Sequence, residues 1–207
     1  MIGFMEKMGS AVCHQMAERS LFFDGMQMPL CARCTGIYIG AFFAFWFFFW
    51  KKRLQSGGVF SVMQAILTGI AILPVGIDSV GSYLGFWESS QWMRIMTGCL
   101  VGAVVPGFLL MAGNFDPKKE AEILLYKDTG ELLLLMAASV VFGFCLLAGV
   151  PIGVIGAVCS IAGEILVWGG LLWLILKNIL GDKKIPCWTI SLILSFVGLF
   201  AVGGLIS

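Results

Sequence analysis

The sequence predicts an all-α polytopic membrane protein: a bundle of about six transmembrane helices behind an N-terminal interfacial amphipathic segment. Three observations carry that expectation. Hydrophobic residues make up 59% of the 207 residues and charged residues 12%, about half the charged share of a soluble domain, and mean hydropathy is +0.98. The apolar residues collect in six runs long enough to cross a bilayer, for which about 20 residues suffice. Lys and Arg alternate in side between those runs.

Residues 1–30 read as the interfacial segment. Phe4, Met8 and Val12 recur at i, i+4 and i+8, an apolar helical stripe suited to lying on a membrane. Asp24-Gly25 marks a turn, and Pro29 suits the first turn of the next helix. Span one then runs from about Cys31 to Trp50 and stops at Lys51-Lys52-Arg53. Span two covers about Val59 to Ile77 and stops at Asp78, and span three covers about Trp92 to Ala112. Span four covers about Leu132 to Ala148, and a Gly149-Val150-Pro151 turn leads to span five, about Ile152 to Leu176. Span six covers about Trp188 to Ile206. Residues 1–207 thus form one membrane domain, with 31–207 as the six-span bundle.

Nine of the thirteen basic residues fall on one side: Lys51, Lys52, Arg53, Lys118, Lys119, Lys127, Lys177, Lys183 and Lys184. The positive-inside rule places them in the cytoplasm of a multi-pass cell-membrane protein, with the N-terminus and its cysteines extracytoplasmic. A mixed-charge start (Glu6, Lys7), without an apolar stretch leading to a small-residue cleavage site, gives no sign of a cleaved signal peptide. A net charge of +1 offers no electrostatic basis for nucleic-acid binding.

Seven cysteines exclude a fully paired disulfide framework. Cys99, Cys145 and Cys159 lie in apolar runs, Cys187 opens the last one, and all four read as structural. The other three stand apart. Cys13 is followed by His14, the chain's single histidine. Cys31 and Cys34, three residues apart at the start of span one, share a face, and the positive end of that helix favours thiolate. Cys13, His14, Cys31 and Cys34, or three of them, therefore form a candidate zinc site, with iron as the other metal. The same residues suit a redox dithiol of Cys31 and Cys34, with Cys13 as relay and a quinone or partner protein as electron acceptor. Copper is a lesser candidate, because Met1, Met5, Met8, Met16, Met26 and Met28 crowd the first 28 residues and thioethers suit Cu(I).

Asp78 at the end of span two and Arg94 early in span three are candidate catalytic residues, since ionisable residues in a span are costly. Both also suit interfacial anchoring or a mutual ion pair. Gln91, Arg94 and Thr97 at i, i+3 and i+6 form a polar stripe for an anionic headgroup, and Arg19 joins them as a candidate substrate-binding residue. The partner expected is membrane lipid, or an anionic or lipid-linked substrate at the outer leaflet. Glu164 lies in mid-span five, by this count about 20 Å below the cysteines at 1.5 Å per residue. A transporter or scaffold with a structural metal clip would rely on Glu164 instead. Gly36-x3-Gly40 and Gly98-x3-Gly102 are close-packing motifs that bring span one against another helix, with span three as candidate.

The N-terminal third resembles a family of bacterial and archaeal membrane proteins of unknown function, whose signature is CHxxxxRS followed by GxQxPLCARCTGIYxG. Here it is carried by Cys13-His14, Arg19-Ser20, Gly25, Gln27, Pro29 through Tyr38, and Gly40. A second stretch is similar to the family's Asp at a span end followed by STNxLRxxTG. In this chain it is Asp78, then Ser89 through Gly98, with Gln91 in place of Asn and Ser90 in place of Thr. The resemblance brings no activity. It implies that the two stretches belong to one site.

Overall fold

The computed structural model describes residues 2–23, 25–115, 124–180 and 187–206. Among them, six helices are long and apolar enough to cross a membrane. They are α2 (Ala32–Trp50), α3 (Val62–Tyr83), α4 (Gln91–Asn114), α5 (Thr129–Leu147), α6 (Gly153–Leu180) and α7 (Cys187–Ile206). Each corresponds to one predicted span. Polar side chains set several starts: Ser61 and Gln64 form a reciprocal capping box on α3, Ser90 caps α4 and Asp128 caps α5. Of the cytoplasmic lysines expected, Lys118, Lys119, Lys183 and Lys184 lie outside the described residues.

Helices α2 and α4 form the centre, and glycine sets their separation. A Cβ built on Gly36 would strike the carbonyl of Ile95, one on Gly40 that of Cys99, and one on Gly98 that of Arg33. Spans one and three are therefore the pair that the two Gly-x3-Gly motifs bring together, backbone against backbone. Helix α6 packs on α2, where Gly163 abuts the Tyr38 carbonyl, and also touches α4, where Gly113 meets Trp173; α7 packs on α6. Cys99 is fully buried between Gly143 and Ile95. Cys145 and Cys159 are part-exposed in apolar helices. Cys187 begins α7, but its side chain is not described.

Span two differs from expectation at its end. Asp78 does not stop the helix; α3 continues to Tyr83, and Asp78 is 2% exposed. Its charge is met by Arg33 from α2, which lets the helix carry it past the point where an unpaired carboxylate would break the span.

The N-terminal segment is the larger correction. It is not one interfacial helix. Helix α1 covers only Ile2–Ser10, so Val12 falls outside it. A short 3-10 turn (Ala17–Arg19) follows, then an antiparallel hairpin of β1 (Ser20–Phe23) and β2 (Met26–Cys31). Gly25, at φ +75°, turns the hairpin; Asp24 lies outside the described residues. Pro29 sits in β2 rather than in a helical turn, a place open to proline in a two-stranded sheet with free edges. Nor does α1 simply float on the membrane. Met8 is fully buried, Phe4 stacks on Phe200 with ring centroids 5.2 Å apart, and Gly203 of α7 meets the Lys7 carbonyl. The segment is wedged into the end of the bundle between α2, α6 and α7.

Candidate metal centre and adjacent cleft

That wedge brings three cysteines together. The sulfurs of Cys13, Cys31 and Cys34 all lie within 4.8 Å of one another, and all three are free thiols. Cys13 comes from the loop after α1, Cys31 from the end of β2, and Cys34 from the first turn of α2. The loop holding Cys13 is pinned by glutamines. The Gln15 side-chain amide donates to the carbonyls of Glu6 (2.6 Å) and Pro29 (2.7 Å), while the Gln27 amide donates to the Gln15 carbonyl (2.7 Å). Gln15 itself is in the left-handed region at φ +48°, a conformation a non-glycine residue keeps only when its surroundings force it.

Backbone amides then point at sulfur. The N–H groups of Gln15 (3.5 Å) and Cys31 (3.3 Å) donate to Cys13 Sγ. Hydrogen bonds from Cys13, and next from Cys34, hold the Cys31 thiol well below the usual thiol range, helped by the amides of Cys34 and Arg33. Cys13 is pushed up, first by its bond to Cys31. Sulfurs that accept backbone amides while one carries charge are the form that binds metal or attacks a disulfide. His14 is exposed and outside this convergent group: the centre is a three-sulfur one, with His14 at its rim.

Arg33, between the two cysteines of the C-x-x-C, was missed as a functional residue. Its guanidinium pairs with Asp78, which also accepts from Ser89 Oγ (2.6 Å) and Trp87 Nε1 (3.4 Å). Arg33 Nε is buried without a partner. The clue in the sequence was an unpaired acid in span two opposite a cation in the cysteine motif. Arg94 therefore does not pair with Asp78; its Nε donates to the Ser89 carbonyl at 3.2 Å. Arg94 and Arg19 line a cleft of about 490 Å³ with Glu18, Ser82, Trp87, Glu88 and Ser89. Among the described residues, neither arginine forms an ion pair with a carboxylate. Gln91 and Thr97 do not line this cleft. The Gln91 amide donates to the Ser20 carbonyl of β1 (3.2 Å), and the Thr97 hydroxyl donates back to Met93 in its own helix (2.7 Å).

Glu164 is placed unlike the sequence expectation. Gly163 touches the backbone of Tyr38, four residues and one helical turn past Cys34. Glu164 is thus about one turn from the level of Cys34, not about 20 Å away, because the N-terminal wedge sinks the cysteines into the bundle.

A six-helix membrane bundle with a three-thiol centre and a cleft of mixed charge, lined by two arginines and two glutamates, is the class these features define. The family model described as "Predicted membrane protein (DUF2085)" matches residues 13–108, the stretch that holds both the cysteines and the cleft, and the chain belongs to that family. An uncharacterized protein of Methanocaldococcus jannaschii is 34% identical over 101 residues, 49% of this chain and 63% of that protein. An uncharacterized protein of Methanothermobacter thermautotrophicus is 35% identical over 91 residues, 44% of this chain and 78% of that protein. The chain thus spans just under two thirds of the first relative's length. No solved structure matches.

Proposed function

We propose that this protein binds a metal, zinc or alternatively iron, at Cys13, Cys31 and Cys34, and uses it as a membrane enzyme on an anionic lipid or lipid-linked substrate at the outer leaflet. The observation that carries this is the convergence of three sulfurs within 4.8 Å. Three protein ligands with a fourth position free is the pattern of catalytic rather than closed structural zinc. His14 follows Cys13 in sequence and lies exposed at the rim of the centre. When bound, zinc supplies Lewis-acid chemistry for hydrolysis or group transfer. Arg19 and Arg94 supply the charge that would hold a phosphate-bearing headgroup in the adjacent cleft, with Arg94 also fixed by the Ser89 carbonyl. Arg33 and Asp78 join cleft to centre, since Arg33 belongs to the cysteine motif and Asp78 shares Ser89 with Arg94.

Metal content is the decisive measurement. Protein purified without added metal should carry about one zinc or iron per chain, lost in Cys31→Ser. A metal-free, folded wild type would end this reading.

The same distances suit a thiol–disulfide oxidoreductase, since the lowered Cys31 thiol is also the form that attacks disulfides. Trapping free thiols and mass spectrometry separate the two: cycling of Cys31 with Cys34 or Cys13 supports redox work, and permanent reduction under oxidising conditions excludes it. The outward orientation has its own check. A cysteine introduced by Lys7→Cys should react with an impermeant maleimide in intact cells.

A further inference from the structure

Glu164 has no task in that scheme. It is fully buried, and neither carboxyl oxygen has a hydrogen-bond partner. A buried carboxyl without a partner is costly, so its presence needs a reason. Ile161, Glu164, Ile165 and Trp168 follow the i, i+3, i+4, i+7 spacing of a single helical stripe. Ile161 and Ile165 belong to the apolar cluster that holds Cys13, Cys31 and Cys34. Glu164 lies on the same stripe of α6, with neither oxygen hydrogen-bonded to a sulfur. The Tyr38 phenol, which accepts a hydrogen bond from Trp168 at 3.4 Å, is within electrostatic range of Glu164, Cys34 and Cys13 alike.

We propose that Glu164 is a positioning residue of the three-sulfur centre: a carboxylic acid whose O–H donates a hydrogen bond to Cys34 Sγ when the centre holds a metal. This rests on the metal-binding function proposed above. Three thiolates around a divalent ion leave one net negative charge in a site walled by Met8, Leu30, Ile161 and Leu199. The amides of Gln15 and Cys31 offset that charge at Cys13, and those of Arg33 and Cys34 at Cys31. Cys34 is one helical turn from Tyr38 and shares the apolar cluster with Tyr38 and Ile165, at the level where Gly163, next to Glu164, meets the Tyr38 backbone. An ionised Glu164 as fourth ligand would add a second negative charge in the same apolar pocket. The neutral acid supplies a donor and no charge.

Cobalt(II) titration of the full chain in detergent, read by the sulfur-to-cobalt charge-transfer band, tests this in wild type, Glu164→Gln, Glu164→Leu, Glu164→Met and Cys34→Ser. Partners that orient metal ligands are worth 10- to 100-fold in affinity, so Leu and Met should each weaken binding roughly 10- to 100-fold and shift the band, while Gln, whose amide still donates, stays within about threefold of wild type. Two apolar shapes guard against a packing artefact. Wild-type affinity and an unshifted band in Leu and Met, with binding lost in Cys34→Ser, would overturn this inference and leave the metal centre standing. Equal losses in Gln, Leu and Met would also overturn it. No cobalt binding by wild type would overturn both.

Discussion

The two ends of the bundle handle charge in opposite ways. At the lysine end, Glu131 takes both prongs of Arg53 (2.5 and 3.3 Å), lies 3.8 Å from Lys51, and accepts the Lys127 amide at 2.7 Å. Asn114 receives Lys177 at 3.2 Å and donates to the Leu54 carbonyl at 3.0 Å. The charged groups there are spent on one another. At the cysteine end, Arg33 Nε is buried without a partner, Arg94 holds one backbone carbonyl, and both oxygens of Glu164 are bare. Native proteins leave few buried polar groups unsatisfied, and those retained with local strain gather at functional sites. The lysine end is fastened by its ion pairs, with Tyr126 Oη left buried without a partner and Lys52 left-handed at φ +55°. The other keeps hydrogen-bonding capacity in reserve, beside three sulfurs.

Breaking the ion pair at each end gives the largest expected effect. Asp78→Ala strands Arg33 with its Nε already buried, and removal of one partner from a buried pair costs about 3–5 kcal/mol. Glu131→Ala removes charge-assisted hydrogen bonds at a partly solvated site and costs about 1.5–3 kcal/mol. Unfolding in detergent should rank them in that order. The double change Arg33→Met with Asp78→Leu sharpens the comparison. A buried pair exchanged for apolar residues is often neutral or stabilising, so stability should return while retention of anionic lipid does not. Full recovery of both would make the pair cement, like its counterpart at the lysine end.

Amide clamps come next. Gln15→Ala and Asn114→Ala each remove two hydrogen bonds and should each cost about 1–3 kcal/mol. Only the first should lower metal affinity, because Gln15 holds the Cys13 loop to Glu6 and Pro29. Metal retention during chelator titration reads the difference; equal retention in both variants would detach Gln15 from the centre.

What was legible in the sequence follows from whether the cause is local. All six spans could be read, because a run of apolar residues is its own signal, and the Gly36/Gly40 and Gly98/Gly102 spacing even named the central pair. The end of α3 could not, because Asp78 is neutralised by Arg33, 45 residues away in sequence. The hairpin left a local trace, Asp24-Gly25 between two short apolar runs, but the helical spacing of Phe4, Met8 and Val12 obscured it. The three-cysteine set was legible from C-x-x-C spacing plus an upstream cysteine. That His14 stands outside it was not, since this depends on the Gln15 turn. The depth of Glu164 was hidden for the same reason: counting residues along a span assumes that the cysteines sit at its mouth.

The smallest effect expected is a pH profile, and it separates the ends at the level of a single thiol. In metal-free protein, Cys31 is lowered and Cys13 raised. A lowered thiol adds stability above its unfolded pKa and loses it as pH falls through the folded value. A raised thiol adds stability below its unfolded pKa and loses it as pH rises through the folded one. The two windows meet at the ordinary thiol pKa without overlapping, so the pair should make stability rise with pH up to that point and fall beyond it. Alkylation resolves them, because only thiolate reacts. At about pH 6, well below the ordinary thiol range, half-buried Cys31 should react with iodoacetamide while Cys13 does not. At the lysine end, the Lys127→Cys variant places a thiol on an exposed loop away from the other cysteines, and its rate should fall as an ordinary thiol's does below its pKa. Coincident profiles for Cys31 and Lys127→Cys would remove the hydrogen-bonded thiolate, and with it the feature that most favours sulfur chemistry at the N-terminal end.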